Sequence, residues 1–145
     1  MLDFSNSKIL IVGDVMLDKY YFGKVDRISP EAPVPIVNIQ KEESRLGGAS
    51  NVANNIVSLG GHSLLCGVIG HDLFGKEIER ISRHKNIDTF LLKTSSPTIT
   101  KARIIGGKQQ IVRVDYEDKS ELNADNKNAI PGHDQPDFYR NTISW

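Results

Sequence analysis

Apolar residues recur along the chain with two periods, and the period changes at glycine and proline. Lys8 to Asp14 carries the run Ile9-Leu10-Ile11-Val12 and stops at a glycine and an acid, which predicts a buried strand opening into a turn. Gly48 to Leu59 has a different pattern. Ala49, Val52, Ala53, Ile56 and Val57 follow the i, i+3, i+4, i+7, i+8 spacing of one helical face, while Ser50, Asn51, Asn54, Asn55 and Ser58 occupy the other. Gly60-Gly61 is placed to end that helix. His62 to Gly70 predicts a second strand. Asp72 can cap a helix over Leu73 to His84, with Phe74, Ile78 and Ile81 as its buried stripe. Thr89 to Lys93 predicts a third core strand.

Two other stretches have strand composition outside this alternation. Lys19 to Val25 and Pro33 to Gln40 are joined by a proline-punctuated loop. Pro33 and Pro35 cannot donate ladder hydrogen bonds, so the second stretch is expected at an edge or in a lid. Pro97 to Tyr116 predicts a hairpin about Gly106-Gly107. That turn would set Arg103 opposite Gln110, and Lys101, Arg103 and Gln110 on one face with Ile99, Val112 and Val114. After Tyr116 the chain turns polar. Leu122 to Ile130 begins like a helix and is cut by Pro131-Gly132. Strands alternating with helices predict an α/β protein with a parallel sheet. The two β excursions would form a flap over its carboxyl edge, where ligands of such folds sit.

Composition narrows the function. Eighteen basic residues balance eighteen acidic ones among 145. A nucleic-acid binder usually carries a basic surplus, so no nucleic-acid partner is expected. The apolar share of 39% and charged share of 25% argue against bulk disorder. No apolar run approaches membrane-spanning length, and the first residues lack a basic signal region, so no membrane partner and a cytoplasmic location are expected. The lone Cys66 lies in an apolar stretch, where a buried, inert thiol is expected. The four histidines show no metal-ligand spacing.

Three constellations can carry chemistry. Gly13 to Asp18 places Asp14 and Asp18 after the first strand, where a carboxylate can accept hydrogen bonds from sugar hydroxyls or simply cap a turn. Gly47-Gly48 at the helix entrance let backbone approach a ligand closely, with Asn51 on the polar side of the first turn. A plain loop-to-helix junction would look the same. Lys101 and Arg103 on the hairpin can clamp a phosphate or form a solvated strand face. The glycines match neither a P-loop nor a dinucleotide fingerprint.

Taken together, VGDVMLDKYYFG, RISPEAPVPIV, GGASNVANNIVSLGG, PTITKARII and QQIVRVDYE resemble the ribokinase-like (PfkB) carbohydrate kinases over most of residues 8–118. RISPEAPVP, between the GD-x-x-x-D turn and GG-x-x-N, points to the heptose 7-phosphate branch of that family. The resemblance implies a ribokinase-like parallel sheet with flanking helices plus a small β lid, in segments 19–40 and 97–116. It implies that Asp18, Gly47, Gly48 and Asn51 bind sugar hydroxyls, and that Lys101, Arg103 and Gln110 contact the substrate's phosphate or hydroxyls. The lid is often used for homodimerisation in the family. The reaction implied is transfer of the ATP γ-phosphoryl group, with Mg²⁺, to the anomeric hydroxyl of D-glycero-D-manno-heptose 7-phosphate. Its product, heptose 1,7-bisphosphate, leads to ADP-heptose and the lipopolysaccharide core.

The departure from the family is also specific. The catalytic base of the family is the aspartate of a Gly-Ala-Gly-Asp motif, and none occurs in these 145 residues. The chain therefore reads as the N-terminal portion of the fold only, in residues 1–130, with no catalytic base of its own. Residues 131–145 read as a tail outside the family pattern, as a frameshift or a disrupted gene would leave. A non-catalytic sugar-phosphate-binding or dimerisation module is the alternative reading.

Overall fold

The computed structural model describes residues 4–118. Nine elements follow in order: β1 (Lys8–Val12), β2 (Val15–Ile28), β3 (Pro35–Gly48), α1 (Ala49–Ser58), β4 (His62–Gly70), α2 (Leu73–His84), β5 (Asp88–Thr94), β6 (Ile99–Gly106) and β7 (Gln109–Tyr116). The expected helix over 122–130, its cut at Pro131-Gly132 and the tail lie outside the described residues.

β1, β4 and β5 form the predicted parallel sheet, in the order β1-β4-β5. Its inward face carries Ile11, Leu65 and Ile69, which pack with Ala53 of α1 and Ile78 and Ile81 of α2. The helical periodicity thus buries the stripe that it predicts. Asp72 caps α2 as expected, accepting a 2.8 Å hydrogen bond from the Gly75 N–H. Gly60, at φ +90°, closes α1, and Asn86, at φ +57°, follows α2 in the left-handed region. Cys66 is fully buried, and burial pushes its thiol up, the setting of an unreactive sulfur. On the sheet's other face Leu64 and Phe90 remain 41% and 47% exposed.

The two β excursions join into one four-stranded sheet, β3-β2-β6-β7. β2 pairs antiparallel with β3 and parallel with β6, while β6 and β7 form the hairpin. The proline-bearing β3 is an edge strand, as expected. Both β2 and β3 are 14 residues long, well beyond the stretches 19–25 and 33–40 that composition suggests. At their inner ends Val15, Leu17 and Leu46 are buried. Residues 41–45 are polar or charged on both faces of β3, so no apolar signal marks them as strand.

The hairpin register differs from the expectation. Gly106 pairs with Gln109, so the two turn residues are Gly107 and Lys108, with Gly107 at φ +64°. A shift at Ile104/Ile105 then sets Arg103 opposite Arg113, and Gln110 opposite Ile105. Val114 and Val112 pair with Ala102 and Ile104, on the face away from Lys101 and Arg103. The bulge adds one residue to β7, which is enough to exchange its faces.

Candidate functional site

Side chains alternate across the lid sheet, so its two faces have different chemistry. One face leans on the core. Leu17, Leu46 and Thr100 are buried at its base. Farther out, Lys19 pairs with Glu42 at 3.2 Å and lies 5.3 and 5.9 Å from the Tyr21 and Phe74 ring centroids. Phe74 of α2 in turn meets Tyr116 of β7 at 5.9 Å. Burial pushes the Lys19 ammonium down, but Glu42 and Tyr21 outweigh it, and the group is held above its ordinary range.

The opposite face is a charged lattice. The register aligns Arg45, Asp18, Lys101 and Asp115 across the four strands, and Glu43, Tyr20, Arg103 and Arg113 in the next row. Asp18 Oδ1 accepts a 2.5 Å hydrogen bond from Arg103 Nη1. Lys101 reaches Asp115 at 3.6 Å, and Arg113 grips Asp115 with two bonds of 2.9 and 3.0 Å. These ion pairs separate the like charges of Arg103 and Arg113, which face one another. The Arg45 and Arg103 guanidinium carbons lie 4.7 and 5.2 Å from the Tyr20 ring centroid.

At the base of this face, the chain enters α1 through Gly47 and Gly48. A Cβ on Gly47 would lie 2.6 Å from Asp18 Oδ2, so glycine keeps the space over that carboxylate clear. Gly48, at φ +54° and ψ −135°, is the helix N-cap in a conformation that side chains avoid. A Cβ there would lie 2.5 Å from the Asp14 carbonyl oxygen. Buried Ser50 fixes the junction, donating to the Gly47 carbonyl at 2.6 Å. The first turn of α1 has no side-chain cap, and Asn51 stands exposed in it.

Asp18, Gly47, Gly48 and Asn51 thus line one cleft of about 690 Å³, together with Tyr20 and Arg45. Asp18 projects from β2 rather than from the predicted loop, and Asp14 occupies the turn, where its carbonyl accepts from the Ala49 N–H at 2.9 Å. Lys101 and Arg103 lie beside the cleft, engaged with Asp115 and Asp18. Gln110 is exposed near the hairpin tip, two pairs farther out than Arg103. Tyr20 and Arg45 were not among the expected site residues. The alternation Asp18-Tyr20-Phe22 against Lys41-Glu43-Arg45 is the signal that points to them. A smaller, more apolar pocket of about 280 Å³ lies at the carboxyl edge of the parallel sheet and includes Gly13, Asp14 and Thr94. Among the described residues, no cluster of three or more His, Cys, Asp or Glu could hold a metal ion.

The family model described as "pfkB family carbohydrate kinase" matches residues 6–135. This chain belongs to the pfkB family. Among its pfkB relatives, a D-beta-D-heptose 7-phosphate kinase from Bordetella bronchiseptica is 50% identical over 118 residues, covering 81% of this chain and 38% of that protein. The "Bifunctional protein HldE" of Helicobacter pylori strain P12 is 53% identical over 120 residues, covering 81% and 26%. The chain therefore spans well under half of these relatives. Solved structures agree on the fold. A carbohydrate kinase from Agrobacterium tumefaciens superposes with a TM-score of 0.58 at 18% identity, covering 74% of this chain and 34% of that one. A ribokinase from Cryptococcus neoformans in complex with ADP gives 0.54 at 20%, covering 81% and 38%. The architecture is thus a ribokinase-like α/β fold, of which this pfkB chain covers part.

Proposed function

We propose that this chain supplies the sugar-recognition part, with its lid, of a kinase acting on D-glycero-D-manno-heptose 7-phosphate. The supporting observation is the cleft that gathers Asp18, Gly47, Gly48 and Asn51 at the base of a cationic lid face. Arg103 holds one Asp18 oxygen, and Gly47 leaves room beside the other, which can accept from sugar hydroxyls. Asn51 offers both a donor and an acceptor. Lys101 and Arg103 flank that cleft on the lid, Arg103 steadying Asp18, and Gln110 lies farther out near the hairpin tip.

In the proposed reaction the anomeric hydroxyl oxygen bonds to the γ-phosphorus of ATP, the bond to the ADP oxygen breaks, and the hydroxyl proton passes to a base. ATP would supply the phosphoryl group, and Mg²⁺ would neutralise its charge. The described residues do not fit that role, because they hold no metal-binding cluster and the sequence has no Gly-Ala-Gly-Asp. We assign the nucleotide, the metal and the base to regions of the longer relatives that this chain does not span. A second reading is a non-catalytic sugar-phosphate-binding or dimerisation module, supported by a cleft built wholly from described residues. We place either activity in the cytoplasm.

Calorimetric titration of the 145-residue chain with heptose 7-phosphate, with ATP turnover assayed in parallel, tests this. Saturable binding without turnover is expected. Absence of binding overturns the sugar-phosphate reading, and turnover overturns the assignment of the base elsewhere.

A further inference from the structure

The expected phosphate contacts, Lys101 and Arg103, are committed to Asp115 and Asp18 and do not line the cleft that holds the sugar-binding candidates. Two other cations do. Lys85 enters from the end of α2, and Arg45 enters from β3, directly opposite Asp18 in the strand register. Three features of Arg45 suit it to an anion. Its side chain is 60% exposed, so its donors are accessible. Its guanidinium nonetheless lies over the Tyr20 ring, 4.7 Å from the centroid, which restricts a side chain that would otherwise be mobile. Glu43 accepts from Arg45 Nη2 at 2.6 Å, and that carboxylate also pairs with Lys41 at 2.6 Å.

A solvent-exposed Arg–Glu pair contributes little to stability. A guanidinium carries five N–H donors and is matched to planar or tetrahedral oxyanions. Glu43 takes one arm of this fork, with the same oxygen chemistry that a phosphate would bring. A phosphate monoester carries up to two charges near neutral pH and offers three oxygens. It therefore competes favourably with Glu43, which keeps Lys41 as an alternative partner.

We infer that Arg45 is the specificity-determining residue for the substrate's phosphate, presenting its guanidinium from Tyr20 to an anion in the cleft beside Asp18. This rests on the sugar-phosphate reading above. Arg103 acts indirectly, as a positioning residue for Asp18. Glu43 occupies Arg45 until the phosphate displaces it.

The test compares heptose 7-phosphate with unphosphorylated heptose, by calorimetry on the full 145-residue chain at low salt. Arg45→Ala should weaken binding of the phosphorylated sugar by about 10–100-fold and leave that of the free sugar within about twofold. Arg45→Lys should restore only part of the loss, because a point charge lacks the fork. Equal losses for both sugars, or no loss for either, overturn the inference and leave the sugar-phosphate reading standing. An unchanged melting temperature for Arg45→Ala separates recognition from structure, and a substantial drop counts against a specificity role. If the wild-type chain binds no sugar phosphate, that reading fails, and arginine side-chain NMR with inorganic phosphate decides the inference independently. A saturable shift of the Arg45 Nε–H supports anion recognition there, and no shift overturns it.

Discussion

Asp72 and Asp18 both stand where the parallel sheet meets the lid, and they are used in opposite ways. Asp72 is saturated. Oδ1 accepts from the Gly75 N–H and the Thr98 hydroxyl, and Oδ2 accepts from the Thr98 N–H, each at 2.8 Å. The same Thr98 hydroxyl accepts from the Gly70 N–H. One carboxylate therefore ties the end of β4, the start of α2 and the approach to β6. Asp18 is half-satisfied, with one oxygen on Arg103 and the other beside the clear space over Gly47. A carboxylate with both oxygens held by its own fold is a fastener. One that keeps an oxygen facing a cleft is available to a ligand.

Substitutions separate the two roles. The largest effect should come from the junction that both regions depend on. Gly48→Ala imposes a Cβ on a left-handed conformation and against the Asp14 carbonyl, and should cost roughly 3 kcal/mol or more in urea denaturation. Asp72→Ala should cost about 2 kcal/mol by losing the cap and the Thr98 bonds. Its pH dependence follows from the carboxyl's environment. Burial pushes Asp72 up, but the Thr98 and Gly75 N–H groups outweigh it and hold it below the usual carboxylate range. A depressed folded value means that the stabilisation is present above about pH 4 and is lost as pH falls through the folded value. The stability gap between wild type and Asp72→Asn should therefore narrow in acid. A gap that widens in acid would break the assignment.

Asp18→Asn should behave differently. Its amide oxygen can still accept from Arg103, so the melting temperature should hold. Affinity for the sugar phosphate should fall by about tenfold, near 1.4 kcal/mol, in calorimetry. An equal loss of stability would place Asp18 with Asp72 as a fastener. The smallest effect is expected for Lys19→Met, which keeps the packing beside Phe74 but loses the charge over two rings. It should cost about 0.5–1 kcal/mol in thermal unfolding, with no change in sugar binding.

The parts of this molecule that could be read from its residues are those with a single buried face. The α1, β4 and α2 periodicities translate directly into packing because Ala53, Leu65, Ile69, Ile78 and Ile81 share one core. The lid was less legible. Lys41, Glu43 and Arg45 carry charge on every second position of β3, so neither composition nor hydropathy marks that length as strand. The parallel pairing of β2 with β6 links segments far apart in the chain and leaves no local trace. Gln110 was expected opposite Arg103 because the turn was centred on Gly106-Gly107 rather than on Gly107-Lys108, and the Ile104/Ile105 shift, which composition does not encode, moved the register by one residue more. Gly47-Gly48 could be read from residue type as a place of close backbone approach, whereas the role expected of Asp18 is implied by the family resemblance and not by its spacing. Arg45 and Tyr20 needed the strand register before they could be placed beside them.

The parallel β2–β6 pairing also sets an order of events during synthesis. The β2–β3 hairpin is complete at Gly48, yet β6 ends 58 residues later at Gly106. At ribosomal speeds that interval is roughly 3–12 s. For that time the nascent chain carries β2 with one unpaired edge, and Asp18 without Arg103. The site is therefore assembled late, when the hairpin of β6 and β7 zips onto a strand that left the ribosome long before.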